Sequence, residues 1–283
     1  VRFDLLSLDS AEAPGLAAID GAELALPIKP IDGFLRGWAA IERRVLERGG
    51  SFRLLIVGGG AGGVELCLSL RYRLHRLLAE RGGDAGRLSF AIVTDTAEPL
   101  PQHAPAVRAR IARLLAERGI PLHAGFTVEA FDAGTAHCRP PHDIAFDAAI
   151  LATGAAAPSW LGQTGLALDG RGFVRVDAAL RSPSHAFVFA AGDIAAIDGH
   201  ALPKSGVYAV RQGPVLAANL RAALAGRPLS LYRPQCRTLA LISTGDRRAL
   251  ASYGCLAWQG AWVWRAKDWL DRRWLRRYQL PPA

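Results

Sequence analysis

Methionine is absent from all 283 residues, position 1 included, so the chain is expected to be part of a longer translation product. Lysine is nearly absent as well. Only Lys29, Lys204 and Lys267 occur, so arginine carries almost all the positive charge, a bias that fits a GC-rich genome. Cysteine is scarce: Cys67, Cys138, Cys236 and Cys255 are widely spaced, with no CxxC pair and no zinc-ligand spacing. That excludes a disulfide scaffold and reads as reduced thiols in a cytosolic setting. Long apolar runs are lacking too. The longest, Leu54 to Leu70, contains Glu65 and five glycines and is patterned as strand, turn and helix rather than as a membrane span. No signal peptide is visible at Val1, although a missing start would remove one.

What is present is a normal globular balance, 51% hydrophobic and 21% charged, which excludes disorder and collagen-like repeats. The net charge of +9 is unevenly placed. Residues 233–283 hold ten basic side chains and three acids, a net of +7, so the basic character belongs to the C-terminal tail.

Along the chain, apolar periodicity predicts a strand within Val1–Leu8, a loop over Asp9–Pro30 and a helix over Ile31–Arg48. A buried strand, Phe52–Val57, is followed by a glycine-rich break and a helix, Val64–Glu80. Leu88–Val93 and Ile120–His123 read as strands, Pro105–Arg118 as a helix and Ile144–Leu151 as one further strand. This alternation predicts a parallel α/β sheet. Beyond Gly154, short strands are expected at Phe173–Val176 and Phe187–Ala190, and a helix at Val207–Leu224. A hairpin is expected from Arg237–Ile242 and Arg248–Tyr253 around Thr244-Gly245-Asp246.

Gly58-Gly59-Gly60-Ala61-Gly62-Gly63 satisfies GxGxxG directly after a strand and at the start of a helix. Each glycine has a physical task. Gly58 permits the tight turn, Gly60 lets a pyrophosphate approach the backbone, and Gly63 lets helix and strand pack closely. The helix N-terminus then presents amides to the phosphates. Asp95, after the second strand, is the candidate for the adenine ribose hydroxyls, with a plain loop acid as the other reading. It lies further on than the usual ~20 residues because an arginine-rich stretch, Arg71–Arg87, extends the first helix. Its charge would favour NAD(H) over NADP(H).

Two more motifs follow: Phe146–Gly154, a strand ending in Ala152-Thr153-Gly154 with Pro158 beyond, and His185–Asp193, ending in Ala190-Ala191-Gly192-Asp193. With the glycine fingerprint, they resemble the pyridine nucleotide-disulfide oxidoreductase superfamily of FAD/NAD(P)-binding flavoproteins. Pro203-Lys204-Ser205-Gly206 followed by Ala209 and Arg211-Gln212-Gly213 is similar to the membrane-associated branch. That branch holds type II NADH dehydrogenases, sulfide:quinone oxidoreductases and flavocytochrome c sulfide dehydrogenases. Ile28-Lys29-Pro30 and the Trp-rich ending also resemble a subgroup associated with selenide, water dikinase.

The resemblance implies an α/β fold: a Rossmann-like dinucleotide-binding domain inserted in a partial FAD-binding domain, plus a small C-terminal α+β module. It implies FAD-domain pieces at 1–27 and 156–225, an NAD(H) domain at 28–155 and an interface module at 226–283. By the same resemblance, Gly192 and Asp193 would meet the flavin's ribityl chain. Lys204, Ser205 and Gly206 would open the helix aimed at its pyrimidine edge, Gly154 would close the ATG motif, and Glu65 would approach the nicotinamide. Relatives carry a further GxGxxG for FAD roughly a hundred residues before the segment matching Val1–Leu8. It is missing here, so this chain need not be active by itself.

The implied activity is transfer of hydride from NADH to flavin and of electrons onward to a small-molecule acceptor, a quinone. The rival enzymatic reading is a sulfide or selenium-compound:quinone oxidoreductase, for which Cys138 and Cys255 are nominees or else incidental thiols. A rival of another class is a non-catalytic nucleotide-binding or interaction module. His137, Cys138 and His142 cluster in sequence, but no metal is expected, and no reading motif points to nucleic acid. In Val263–Tyr278, an apolar stripe of Val263, Ala266, Leu270, Trp274 and Tyr278 opposes Arg265, Asp268, Arg272 and Arg276. It suits either an anionic membrane face, as on the cytoplasmic side of a membrane, or a homodimer contact.

Overall fold

The computed structural model describes residues 2–9, 13–14 and 19–276. The chain divides into two compact units, one of Leu16–Gly154 with Arg237–Ala283, the other of Val1–Gly15 with Ala155–Cys236.

The larger unit is built on a five-stranded parallel sheet in the order Leu26–Pro27, Ala148–Leu151, Phe52–Val57, Leu88–Thr94, Leu122–Ala124. Phe52–Val57 is apolar on both faces because both faces are covered. Leu54 and Ile56 meet the helices Ile31–Glu47, Ala61–Ala79 and Pro105–Glu117 through Phe34, Val45, Val64, Leu74, Val107 and Ile111. Leu55 and Val57 point the other way, into a second core with Val128, Phe131, Ile144 and Phe146. The chain moves outward from Phe52–Val57 through Leu88–Thr94 to Leu122–Ala124, then returns to Ala148–Leu151 on the opposite side. That reversal makes a topological switch point at the C-terminal end of the first of these strands, where open α/β sheets bind ligands.

The second core exposes two departures from the sequence reading. Residues 127–145 form an antiparallel meander, Thr127–Asp132, Thr135–Arg139 and His142–Ala145. The stretch expected as one strand, Ile144–Leu151, is two strands parted at Phe146-Asp147. Asp147 causes the break. Its carboxylate, 8% exposed, accepts from Arg48 at 2.7 Å and from both the backbone and the guanidinium of Arg53 at 2.9 and 3.1 Å, and its carbonyl accepts from Arg44.

The C-terminal segment shares this unit's core. Leu239–Ser243, Ala249–Tyr253 and Leu256–Gly260 form an antiparallel sheet, one strand more than the expected hairpin. Ile242 and Leu250 pack into the helix-face core. Gly245 lies so close to the helix Ala61–Ala79 that a Cβ there would stand 2.4 Å from the Leu68 carbonyl oxygen. Arg118 clamps the same turn, donating to Thr244 O and to Asp246 at 2.6 and 2.7 Å. The closing helix, Ala261–Leu275, buries Val263, but Leu270 and Trp274 of the expected stripe are exposed, because only its first turns reach the sheet. Tyr278 lies outside the described residues.

The smaller unit pairs Leu6–Leu8 in parallel with Val188–Ala190, and Val174–Val176 in parallel with Ala195–Ile197. The helix Gly206–Leu224 covers them through Leu216. Asn219, fully buried, donates to Ala179 O and Ser230 O and accepts from Ser230 N, each at 2.8 Å. It thereby satisfies its amide and fixes the chain that follows the helix.

Candidate functional site

The glycine turn stands at the switch point, and its glycines fall into two classes. Gly58 (φ +125°) and Gly63 are bare for internal reasons. A Cβ at Gly58 would lie 2.3 Å from Ala152 O, and one at Gly63 would lie 2.0 Å from Gly58 O. Gly58 N–H donates to Val93 O at 2.8 Å, and Ala152 N–H to Val57 O at 2.8 Å, so this backbone is held on both sides. Gly60, Gly62 and Gly154 differ: a Cβ on any of them would meet no protein atom within 4 Å. Gly60 caps the helix Ala61–Ala79 at φ −70°, a conformation any residue adopts, and no side chain satisfies the first-turn amides. Helix-first amides with open space beside them form an anion cradle.

Asp95 follows the second strand directly and is exposed, one residue beyond Thr94, whose side chain abuts Gly59. The structure therefore brings Asp95 to the same sheet edge as Gly58, Gly60, Gly63 and Gly154.

Glu65 is also on the fingerprint helix, but its carboxylate is turned to the C-terminal segment. Its Oε1 accepts from Ser243 N–H at 3.1 Å and lies 3.6 Å from Lys267 Nζ, which also lies 3.3 Å from Asp271. Burial raises its pKa above the usual carboxylate range, although Lys267 and the Ser243 amide oppose the shift.

In the smaller unit, Gly192 (φ +72°) and Asp193 follow the strand Val188–Ala190. Two residues to which the motif reading gave no role, Gln212 within the Arg211-Gln212-Gly213 motif and Asp9, support this turn. Gln212, 3% exposed, accepts the Gly192 N–H at 2.6 Å. Asp9, at the end of the neighbouring parallel strand, sits where a Cβ on Gly192 would come within 2.5 Å of its Oδ1. Burial raises the Asp9 pKa, and the charge of Asp193 adds to the shift. The signal for Gln212 was a glutamine on the inward stripe of the helix Gly206–Leu224. Ser205 caps that helix without a side-chain hydrogen bond, and Gly206 has open space around it. Lys204 points into the protein, donating to Ala195 O at 2.6 Å with its ammonium 3.9 Å from the Phe173 ring centroid.

The thiols and histidines are dispersed. Cys67 and Cys138 are buried, and Cys236 and Cys255 exposed. Burial pushes the Cys67 thiol up to about 12 and raises that of Cys138, so both are protonated core side chains. His137 bonds Asp143 and Asp132, each at 2.8 Å, whereas His142 turns to His123 at 3.0 Å. Among the described residues, no group of three His, Cys, Asp or Glu side chains is placed to hold a metal ion.

A parallel sheet with a glycine turn at its switch point defines the class, a dinucleotide-binding α/β protein. Residues 21–213 match the family model for pyridine nucleotide-disulphide oxidoreductases, and the chain belongs to that family. It is 25% identical over 262 residues to the alternative NAD(P)H-ubiquinone oxidoreductase C1, chloroplastic/mitochondrial, of Arabidopsis thaliana, covering 83% of this chain and 48% of the relative. It is 30% identical over 201 residues to the demethylphylloquinone reductase NdbB of a Synechocystis strain, covering 68% and 47%. The chain thus spans about half the length of these curated relatives. Among solved structures, the sulfide:quinone oxidoreductase of Aquifex aeolicus shares the fold with a TM-score of 0.78 at 16% identity, covering 98% of this chain and 69% of that one.

Proposed function

We propose that this chain is the NAD(H)-binding domain, with part of the FAD-binding domain, of an NADH dehydrogenase-like flavoprotein. The domain division proposed is 28–155 for NAD(H), 1–27 with 156–225 for FAD, and 226–283 for an interface. When bound, the nicotinamide supplies a hydride, and the flavin accepts it and passes electrons to an acceptor, for which a quinone is proposed. The observation that carries this reading is the open space at Gly60, beside helix amides that no side chain caps. Internal packing gives no reason for glycine there, whereas a diphosphate approaching the backbone does.

On this reading, Gly58 and Gly63 shape the turn, Gly60 and the helix amides hold the diphosphate, and Gly154 leaves room at the adjoining strand end. Asp95 accepts hydrogen bonds from the adenine ribose and disfavours a 2′-phosphate, so NADH is the proposed donor. In the smaller unit, Gly192 and Asp193 bind the ribityl hydroxyls on a turn braced by Gln212. The open helix start at Ser205 and Gly206 faces negative charge on the flavin. Lys204 fixes the segment before that helix through Ala195 and Phe173.

The C-terminal helix gives the proposed place of action. Trp262 and Trp269 are 58% and 56% exposed, amid Arg265, Arg272, Arg273 and Arg276. No helix among the described residues is long and apolar enough to cross a membrane. Exposed indoles among arginines suit the headgroup layer of an anionic membrane, which supports a location on the cytoplasmic face beside a lipid-borne acceptor. Sulfide oxidation has less support: of its two nominated thiols, Cys138 is packed in the core, and Cys255 lies exposed in the turn between the last two strands.

The test is to purify the full-length parent protein, record its flavin absorbance and add NADH without oxygen. Bleaching by NADH is expected. Flavin left unbleached by NADH but bleached by sulfide would refute the proposal.

A further inference from the structure

Two lines of contact run from the glycine turn to the C-terminal strands of the same unit. The first is Glu65, which lies about 6 Å along the helix axis from Ala61. It holds Ser243 N–H on the first of those strands and faces Lys267 on the closing helix. The second starts at Gly59, whose carbonyl accepts the Leu100 N–H at 2.8 Å, while His103 N–H bonds Leu100 O at 2.9 Å. His103 Nδ1 in turn meets Ser252 Oγ at 3.1 Å, and Ser252 is 5% exposed on the middle strand. Leu100, between them, is fully buried at φ +56°, a left-handed backbone that a leucine rarely adopts. Strain of that kind persists only where its surroundings impose it, and it gathers at ligand clamps and switches.

We propose that these two lines couple dinucleotide occupancy of the glycine turn to the hold on the C-terminal strands and on the helix Ala261–Leu275. The proposal rests on the reading that the turn binds NAD(H). A diphosphate at the helix start adds negative charge on the side of Glu65, strengthening the attraction for the Lys267 ammonium, which is only 25% exposed. Ribose contacts beside Asp95 would order residues 95–104, and with them the bond from His103 to Ser252. Binding therefore tightens the C-terminal segment, and by linkage a partner that tightens that segment strengthens dinucleotide binding by the same factor. The Trp-bearing face would then be presented most firmly when reductant is bound.

Amide hydrogen exchange on the intact chain tests this. Peptides covering 239–275 are followed with and without saturating NADH, in the native protein and in the double variant Lys267→Met/Ser252→Ala, neither position being in the dinucleotide site. NADH should slow exchange there about fivefold or more in the native chain and less than about twofold in the double variant. The two single variants, each expected to lose part of the effect, carry the test should the double variant unfold. Bound NADH with unchanged exchange at 239–275 would overturn the coupling and leave the binding reading intact. An undiminished NADH effect in the variants would overturn the assignment to these contacts. Failure of the native chain to bind NADH would remove the binding reading and the coupling with it.

Discussion

Gly60 and Gly63 should respond to substitution in opposite ways. At Gly63, an alanine Cβ would lie 2.0 Å from Gly58 O and 3.4 Å from the Ala152 side chain. The carbonyl cannot swing aside easily, because Gly58 N–H is tied to Val93 O and the Gly58 Cα itself faces Ala152 O. Overpacking of this sort costs about 1–3 kcal/mol or more. The better helix propensity of alanine returns at most about 1 kcal/mol. An approach of 2.0 Å calls for the upper part of that cost, which leaves a net of about 1–2 kcal/mol, so Gly63→Ala should lower the unfolding midpoint of its unit by roughly 2–8 °C, at about 2–4 °C per kcal/mol for a unit of this size. Gly60→Ser is the counterpart. The position is at the helix N-cap with φ −70° and open space, so the hydroxyl can accept from an amide in the first turn. Serine should stabilise the unit by a few tenths of a kcal/mol relative to glycine. The same hydroxyl competes for the amides and fills the space a diphosphate would use, so NADH affinity should fall at least about tenfold, or ~1.4 kcal/mol. Thermal unfolding followed by circular dichroism and titration of NADH fluorescence measure the two quantities on the same samples. The reasoning fails if Gly60→Ser binds NADH like the native protein, or if it destabilises as much as Gly63→Ala.

Asp95→Asn should weaken NADH roughly 10–100-fold, the worth of a hydrogen bond to a charged acceptor, and should narrow the preference over NADPH; equal loss for both cofactors would place Asp95 outside the ribose site. For Asp147, burial alone would raise the pKa, but hydrogen bonds from Arg53 and Arg48 outweigh it and hold the carboxyl below its usual range. Its contribution to stability is thus present above the unfolded value of about 3.9 and is lost as pH falls through the lower folded value; Asp147→Asn should flatten the acid limb of a urea-midpoint profile. Co-sedimentation should show the chain on anionic but not zwitterionic liposomes, with binding lost in Trp262→Ser/Trp269→Ser. Retention by that variant would remove the two tryptophans from the lipid contact, and a concentration-dependent dimer without lipid affinity would assign the face to a second copy instead.

The parallel sheet was legible in the sequence because its strands are short apolar runs covered on both sides, and helices of period 3.6 intervene. The meander was not. Its period-2 pattern is broken by a register shift between Val128 and Ala130, so Val128 and Phe131 face the same core three residues apart. Its middle strand carries His137 outward to two aspartates and Cys138 inward, which reads as an irregular polar stretch until the partner strands are known. The break at Asp147 has the same origin. A single acid splits an apolar run only because Arg44, Arg48 and Arg53, some 95 to 105 residues earlier, converge on it.

The candidate site divides in the same way. Glycine geometry is local, so the fingerprint's position and its turn could be read directly. The motif also separates Gly58 and Gly63, bare for turn and packing, from Gly60, bare for a ligand; what it leaves out is the partner that crowds Gly58, Ala152 O, a strand away in space and about ninety residues away in sequence. Glu65 sharpens the point. Motif position assigns it to the nicotinamide, whereas its surroundings tie it to Ser243 and Lys267. The motif records where on the helix the acid lies, one turn past the amides, and that much is fixed by spacing. The direction of its carboxylate is fixed by what packs alongside, and here that is a segment some 180 to 200 residues later. An acid so placed can answer to both the helix start and the C-terminal helix. The position implied by the family resemblance and the observed contact are therefore compatible, as the two ends of the linkage proposed above.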